Sequence, residues 1–294
     1  MKKQLWIFSS VIIIIFLSGC ALTPTQKEAA SRFAQASADI GDFAAAEFNH
    51  FRAATIDMNV TSIAIHGKAK LLNDKNEPNL DEALKSESVI ERVKSAQALS
   101  SYGRLLMSLV TETQEAELKQ ASNNFVNSFK SVSGKKLSDA QYEALGQLVH
   151  AIGSFWVEAK RAEAVRSIVK NTGLDIEKLC DLLIEDFNKT GLQNAQGFDA
   201  TITNLSADAD IALAKSASYT DRLIAINGFK QAFIERERLN HISKTAITTF
   251  IKLKAANAQL IQAIENNNLS IDDIKAVGQE MNNLRSAITA LSNK

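Results

Sequence analysis

The chain has 294 residues with 33 basic and 33 acidic side chains, so its formal net charge is zero; it holds only two prolines, and aromatic residues make up 6%. Balanced charge excludes the basic face that a nucleic-acid binder presents to phosphates, and no nucleic-acid partner is expected. The scarcity of proline, with none beyond Pro78, excludes the many marked turns of a β-sandwich or barrel and leaves a chain that is helical almost throughout.

Lys2 and Lys3 precede an apolar run from Leu5 to Leu17. As a helix that run would be about 20 Å long, against a bilayer core of about 30 Å, so it is too short to span. A basic start, a short apolar middle and small residues at a cut site have the layout of a secretory signal. The run closes on Leu17-Ser18-Gly19-Cys20. In position, flanks and spacing this tetrapeptide resembles the lipobox of bacterial lipoprotein precursors, a resemblance confined to residues 1 to about 21. It implies a diacylglycerol group on the thiol of Cys20, signal cleavage between Gly19 and Cys20, and further acylation, by palmitate for example, of the new amino group. Residues 1–19 would then be a signal peptide, 20–24 a lipidated N-terminus with a short tether, and 25–294 a helical bundle. Ala21 follows the cysteine, where an aspartate would resemble an inner-membrane retention signal, so the expected destination is the outer membrane. Each methylene buried in lipid contributes about 0.8 kcal/mol, and two or three acyl chains make attachment permanent where one would not. The partner this implies is a lipid bilayer, reached without a membrane-spanning helix.

Beyond Cys20, apolar positions recur at alternating steps of three and four, the spacing that lines one helix face. The first segment opens on a Thr25–Glu28 capping pattern. It carries Phe33, Ala36, Ile40, Phe43, Phe51, Met58, Ile65 and Leu72, and ends in LNDKNEPNL. A second start is Asn79 with Glu82. Its face runs as one helix through Leu99, Tyr102, Leu106, Leu109, Thr113, Ala116, Leu118, Ala121, Phe125 and Phe129 to a turn at Ser131–Gly134. Ser138 with Gln141 opens a third helix, carrying Leu145 to Trp156. Asn171-Thr172-Gly173 reads as a C-terminal cap. A fourth helix follows from Leu174, is interrupted at KTGLQNAQG (189–197), and resumes its face at Phe198, Ile202, Leu205 and Ala209. Ser218 or Thr220 opens a long helix whose face is Leu223, Ile226, Phe229, Phe233, Ile247, Ile251, Ala258 and Ile261. After Asn266–Asn268, Ser270 with Asp273 caps a last helix facing inward with Ile274, Val277, Met281, Leu284, Ile288 and Leu291. Helices of this length exceed the usual dozen residues. They predict an all-α fold: an elongated antiparallel bundle of five or six long helices with coiled-coil-like packing.

Catalytic chemistry is hard to find. His50, His66, His150 and His241 are isolated, with no second His or Cys at ligand spacing, so no metal site is expected. Ser133-Gly134-Lys135-Lys136, Ser167-Ile168-Val169-Lys170 and Lys189-Thr190-Gly191 match fragments of the penicillin-interacting serine enzymes. The Ser-Asp-Asn element is missing, however, and that family presents Lys-Thr-Gly on a sheet. Asp208 and Asp210 do not share a helix face, and no EF-hand loop accompanies Asp272 and Asp273, so calcium is not expected either. Glu235-Arg236-Glu237-Arg238 reads as a solvated, partly self-paired face. Cys180 reads as a small buried thiol, with an intermolecular disulfide as its alternative. No catalytic residue and no cofactor is expected. The reading that fits is a non-enzymatic, lipid-anchored helical module that holds an envelope protein partner, or another copy of itself. The alternatives are an enzyme with an unfamiliar helical site and a membrane-active helical protein.

Overall fold

A computed structural model of the chain describes residues 21–69, 72–73, 75–111, 115–132, 158–188, 197–266 and 279. Its elements are helices: α1 (Pro24–His66), a 3-10 turn (Glu82–Leu84), α2 (Ser86–Val110), α3 (Glu115–Val132), α4 (Glu158–Phe187), α5 (Phe198–Lys215) and α6 (Tyr219–Asn266). Among the described residues there is no strand, only one isolated bridge between Leu72 and Pro78. The chain forms the all-α helical bundle that its periodicity predicts. The helix expected over Ser138–Trp156, most of the 189–197 interruption and the last helix lie outside the described residues.

The chain divides into two compact units, and α1, α2, α4 and α6 each contribute residues to both. In the first unit (21–39, 98–111, 115–132, 158–178 and 252–266), α1 and α2 run antiparallel. Ser31 donates to the Met107 sulfur and Phe33 meets Tyr102 edge-on at 6.2 Å. Tyr102 continues to Phe125 at 6.1 Å, and Phe125 to Phe129 at 5.0 Å, a fully buried aromatic ladder. Burial pushes the Tyr102 hydroxyl far above the ordinary tyrosine range, and the Thr172 side chain offsets part of that.

This ladder corrects one expected boundary. The second helix was expected to run unbroken from near Asn79 to Phe129, which would hold Tyr102 and Phe125 about 35 Å apart. Instead the chain leaves α2 at Val110 and enters α3 at Glu115, and the two helices fold back as a hairpin. Ser101 meets Ser128 at 3.0 Å across it. The last carbonyls of α2 are not left bare: the Thr111 hydroxyl donates to the Met107 carbonyl and Arg161 donates to the Thr111 carbonyl at 2.8 Å. Burying four aromatic rings outweighs the local preference to continue the helix.

Gly173 is the second correction. Expected as a cap, it lies inside α4, which runs unbroken from Glu158 to Phe187. Its bare Cα leaves room for Ile261 of α6, and its carbonyl accepts a 2.9 Å bond from the buried Asn257 amide.

In the second unit (40–69, 72–73, 75–97, 179–188 and 197–251), Phe48, Phe187 and Phe250 stack in one buried cluster and Phe51 packs on Phe198 at 4.7 Å. The first helix ends at His66 rather than near Leu72, because Gly67 takes a left-handed φ of 70° that only glycine adopts without strain. Its N–H bonds back to the Ile63 carbonyl at 2.8 Å, closing the helix end. Asn59 and Arg52 then pin the following loop by bonds to Leu80 and Asp81. Asn79 bonds the Glu82 side chain, but the helix expected to start there does not: a 3-10 turn follows Asp81 and α2 begins only at Ser86.

The face of α6 is the third correction. Its buried residues include Ala225, Ala232, Leu239, Ile242, Ala246, Phe250, Leu253, Ala256 and Leu260, whereas Leu223, Ile226, Phe233 and Ile251 are exposed. Over the first half of α6 the buried residues are small, Ala225, Gly228 and Ala232, and large apolar side chains there point outward.

Candidate functional site

Cys20, with the rest of the signal and lipobox, lies outside the described residues. The chain that follows it is well defined. Ala21 accepts a hydrogen bond at 3.2 Å from the Arg166 guanidinium of α4, and Leu22 is buried. Thr23 and Gln26 then form a reciprocal capping box. The Gln26 N–H donates to the Thr23 hydroxyl at 3.2 Å, and the Thr23 N–H donates to the Gln26 side-chain oxygen at 3.0 Å. The remaining Gln26 amide donates to the Ala263 carbonyl of α6 at 2.9 Å. The box therefore sits two residues before the expected Thr25–Glu28 pattern, and it also ties the first turn of α1 to α6. Residues 21–24, expected as tether, are part of the first unit. Replacing Thr23 with alanine should lower stability by about 1 kcal/mol, the ordinary value of an N-cap, in a urea titration followed by circular dichroism. A change near zero would show that Gln26 is held by Ala263 alone.

The least exposed ion pairs among the described residues lie in the second unit. Arg238 of α6 makes a bidentate pair with Glu47 of α1, at 2.7 and 3.1 Å, and the two side chains are only 16% and 5% exposed. His50 Nε2 lies 3.1 Å from Glu235, and Thr61 donates to Gln231 at 2.9 Å. As the α1 number rises in this series the α6 number falls, which is the signature of an antiparallel pair. Arg236 donates to Thr203 of α5 at 3.2 Å. The Glu235–Arg238 run is thus not a solvated, self-paired face. It is shared out among neighbouring helices, and nothing local in the sequence marks Glu47, lying 191 positions away, as the partner of Arg238.

Asp208 gathers two other groups. Ser62 donates to one carboxylate oxygen at 2.5 Å and His66 Nε2 lies 2.9 Å from the other. The residue types match a hydrolytic triad but the order does not. The Ser62 hydroxyl is given to the carboxylate and not to an imidazole nitrogen, so serine and histidine do not form a nucleophile–base pair here. Asp208 is buried and Asp210 exposed, as their spacing predicts. Arg92 pairs with Asp186 at 2.9 Å. Burial pushes the Asp186 carboxyl above its ordinary value, Arg92 pulls it partly back, and Glu185 adds a smaller upward push.

The remaining candidates separate. Ser167 accepts a hydrogen bond from the Asn171 amide while Lys170 points to solvent; the other Ser-x-x-Lys match and Lys189-Thr190-Gly191 lie outside the described residues, as does His150. Cys180 is fully buried and in no disulfide among the described residues. Among the described residues no three His, Cys, Asp or Glu side chains converge as a metal site. An open recess of about 300 Å³ in the second unit is lined by His66, Lys215, Ser216 and Asp221 beside Ile65 and Ile211, with no nucleophile–base pair in it.

No family model, curated protein or solved structure matches the chain. Its function has to be read from its own residues. Among the described residues, no helix is long and apolar enough to cross a membrane.

Proposed function

We propose that the protein is a lipid-anchored, non-enzymatic helical module of a bacterial cell envelope, attached through acyl chains on Cys20 and residing at the outer membrane. The observation that carries this reading is Leu17-Ser18-Gly19-Cys20 at the end of a short apolar run behind Lys2 and Lys3. The docking of Ala21 and Leu22 supports it mechanically. With no loose residues between Cys20 and the bundle, lipid on that sulfur brings the first turn of α1 to the headgroups and transmits attachment directly to the first unit. Two or three acyl chains supply enough buried methylene to hold a folded chain of this size at a bilayer. The role that remains for the bundle is to hold a partner or a spacing at the membrane.

The test is incorporation of labelled palmitate into the wild-type chain and into Cys20→Ala, with fractionation of both. The expected result is label in the wild type alone, a mature terminus at Cys20, and transfer of the variant from the membrane to the soluble fraction. An uncut start, or equal labelling of both chains, would overturn the anchor.

A further inference from the structure

The cut expected between Gly19 and Cys20 falls a single residue ahead of Ala21, where the fold takes hold. Ala21 accepts the Arg166 guanidinium at 3.2 Å, and Leu22 is only 6% exposed. Thr23 and Gln26 close on each other, and the Lys27 N–H bonds the Thr23 carbonyl at 2.9 Å. The Gln26 amide reaches the Ala263 carbonyl of α6. Contacts from α4, from α6 and from the first turn of α1 itself thus hold residues 21–26. Peptidases act on backbone that is exposed and free of structure, and they cut a folded segment only when it opens. The chain just after the cut is neither exposed nor free of structure.

We propose that the first turn of α1 is a latch on maturation: while residues 21–26 are docked, the Gly19–Cys20 bond is withheld from the processing peptidase, and only chains with the latch open are cut. The step itself is a hydrolysis. Water adds across the peptide bond, Gly19 leaves as a carboxylate with the signal, and Cys20 keeps the new amine. Docking then closes behind the cut. Folding and processing therefore compete for the same few residues, and the productive order is cut first, closed first turn second. A precursor that folds early is stalled until its first turn opens, a local event that leaves the rest of the bundle intact. The latch rests on the reading of Cys20 given above and adds to it the conformation in which the chain is processed. Arg166 is its most informative member. It lies 145 positions from Ala21, so a peptidase that reads the sequence around the cut never meets it.

The test follows full-length precursor, wild type and Arg166→Met, accumulated in cells depleted of the processing peptidase and chased once the enzyme is restored. Loss of residues 1–19 is read by electrophoresis. Methionine keeps an apolar stem and removes the bond to Ala21. The expected result is that accumulated Arg166→Met matures roughly tenfold faster than accumulated wild type, the rise in open fraction that losing a charge-assisted hydrogen bond gives, while newly made chains of both are cut at one rate. Gln26→Leu, which frees the turn from α6 and breaks its capping box, shifts the rate in the same direction and serves if Arg166→Met changes the circular dichroism. Equal maturation of all the accumulated precursors, each folded, would overturn the latch. Newly made wild type that stays uncut would overturn the cut at Cys20, and the latch with it, so the two failures are told apart by which chains are affected.

Discussion

Replacing Glu47 with alanine should destabilise the fold by about 3–5 kcal/mol, the cost of leaving one member of a buried ion pair without its partner. Arg238 has little access to water to replace the missing carboxylate, because its side chain is only 16% exposed. Losing the acid therefore strips two charge-assisted hydrogen bonds and leaves the guanidinium partly desolvated. The pair itself is worth far less than either truncation suggests. Glu47→Leu combined with Arg238→Leu should recover most of the loss, since two apolar groups of similar volume need no partner. A double-mutant cycle by urea denaturation measures both statements. A single-variant loss below about 1 kcal/mol would mean that Arg238 is hydrated, contrary to its burial.

How much of this could be read in the sequence depended on whether the signal was local. The helical class was legible because apolar spacing and the lack of proline act over a few residues at a time. The resemblance of Leu17-Ser18-Gly19-Cys20 to a lipobox, on which the proposed anchor rests, is likewise a short and contiguous signal. The break between Val110 and Glu115 was not, since no glycine or proline marks it and the reward for turning is a contact between Tyr102 and Phe125. Gly173 was misplaced because a glycine spared for a close helix approach has the same letter as one spared for a cap. On α6 the spacing of Leu223, Ile226 and Phe233 points to a core face, while the packing side of that stretch is built from Ala225, Gly228 and Ala232. Size alone does not say which face is buried when small residues let helices come close. The Glu47–Arg238 and Ser62–Asp208–His66 contacts join positions far apart in the chain, and only the fold brings them together.

The same point about small residues sets the second large effect, at Gly103 of α2. A Cβ there would lie 2.4 Å from the Ala34 carbonyl oxygen, 2.5 Å from the Ala38 nitrogen and 3.1 Å from the Ala38 Cα, all backbone atoms of α1. None can rotate aside, so α1 and α2 must separate and loosen Phe33 against Tyr102. Gly103→Ala should therefore lose about 2 kcal/mol net, with overpacking of about 3 kcal/mol outweighing a gain of up to about 1 kcal/mol from replacing a mid-helix glycine. Gly173→Ala supplies the contrast. Its nearest obstacle is the Cδ1 of Ile261 at 2.6 Å, the far end of a flexible side chain. A rotamer adjustment costing about 1 kcal/mol would absorb it and roughly cancel the helical gain. Thermal and urea unfolding of the two variants should thus diverge, with Gly103→Ala clearly destabilised and Gly173→Ala within about 0.5 kcal/mol of wild type. Equal behaviour of the two would show that α1 and α2 are free to move apart, and that the close crossing at Gly103 does not set the packing of the first unit.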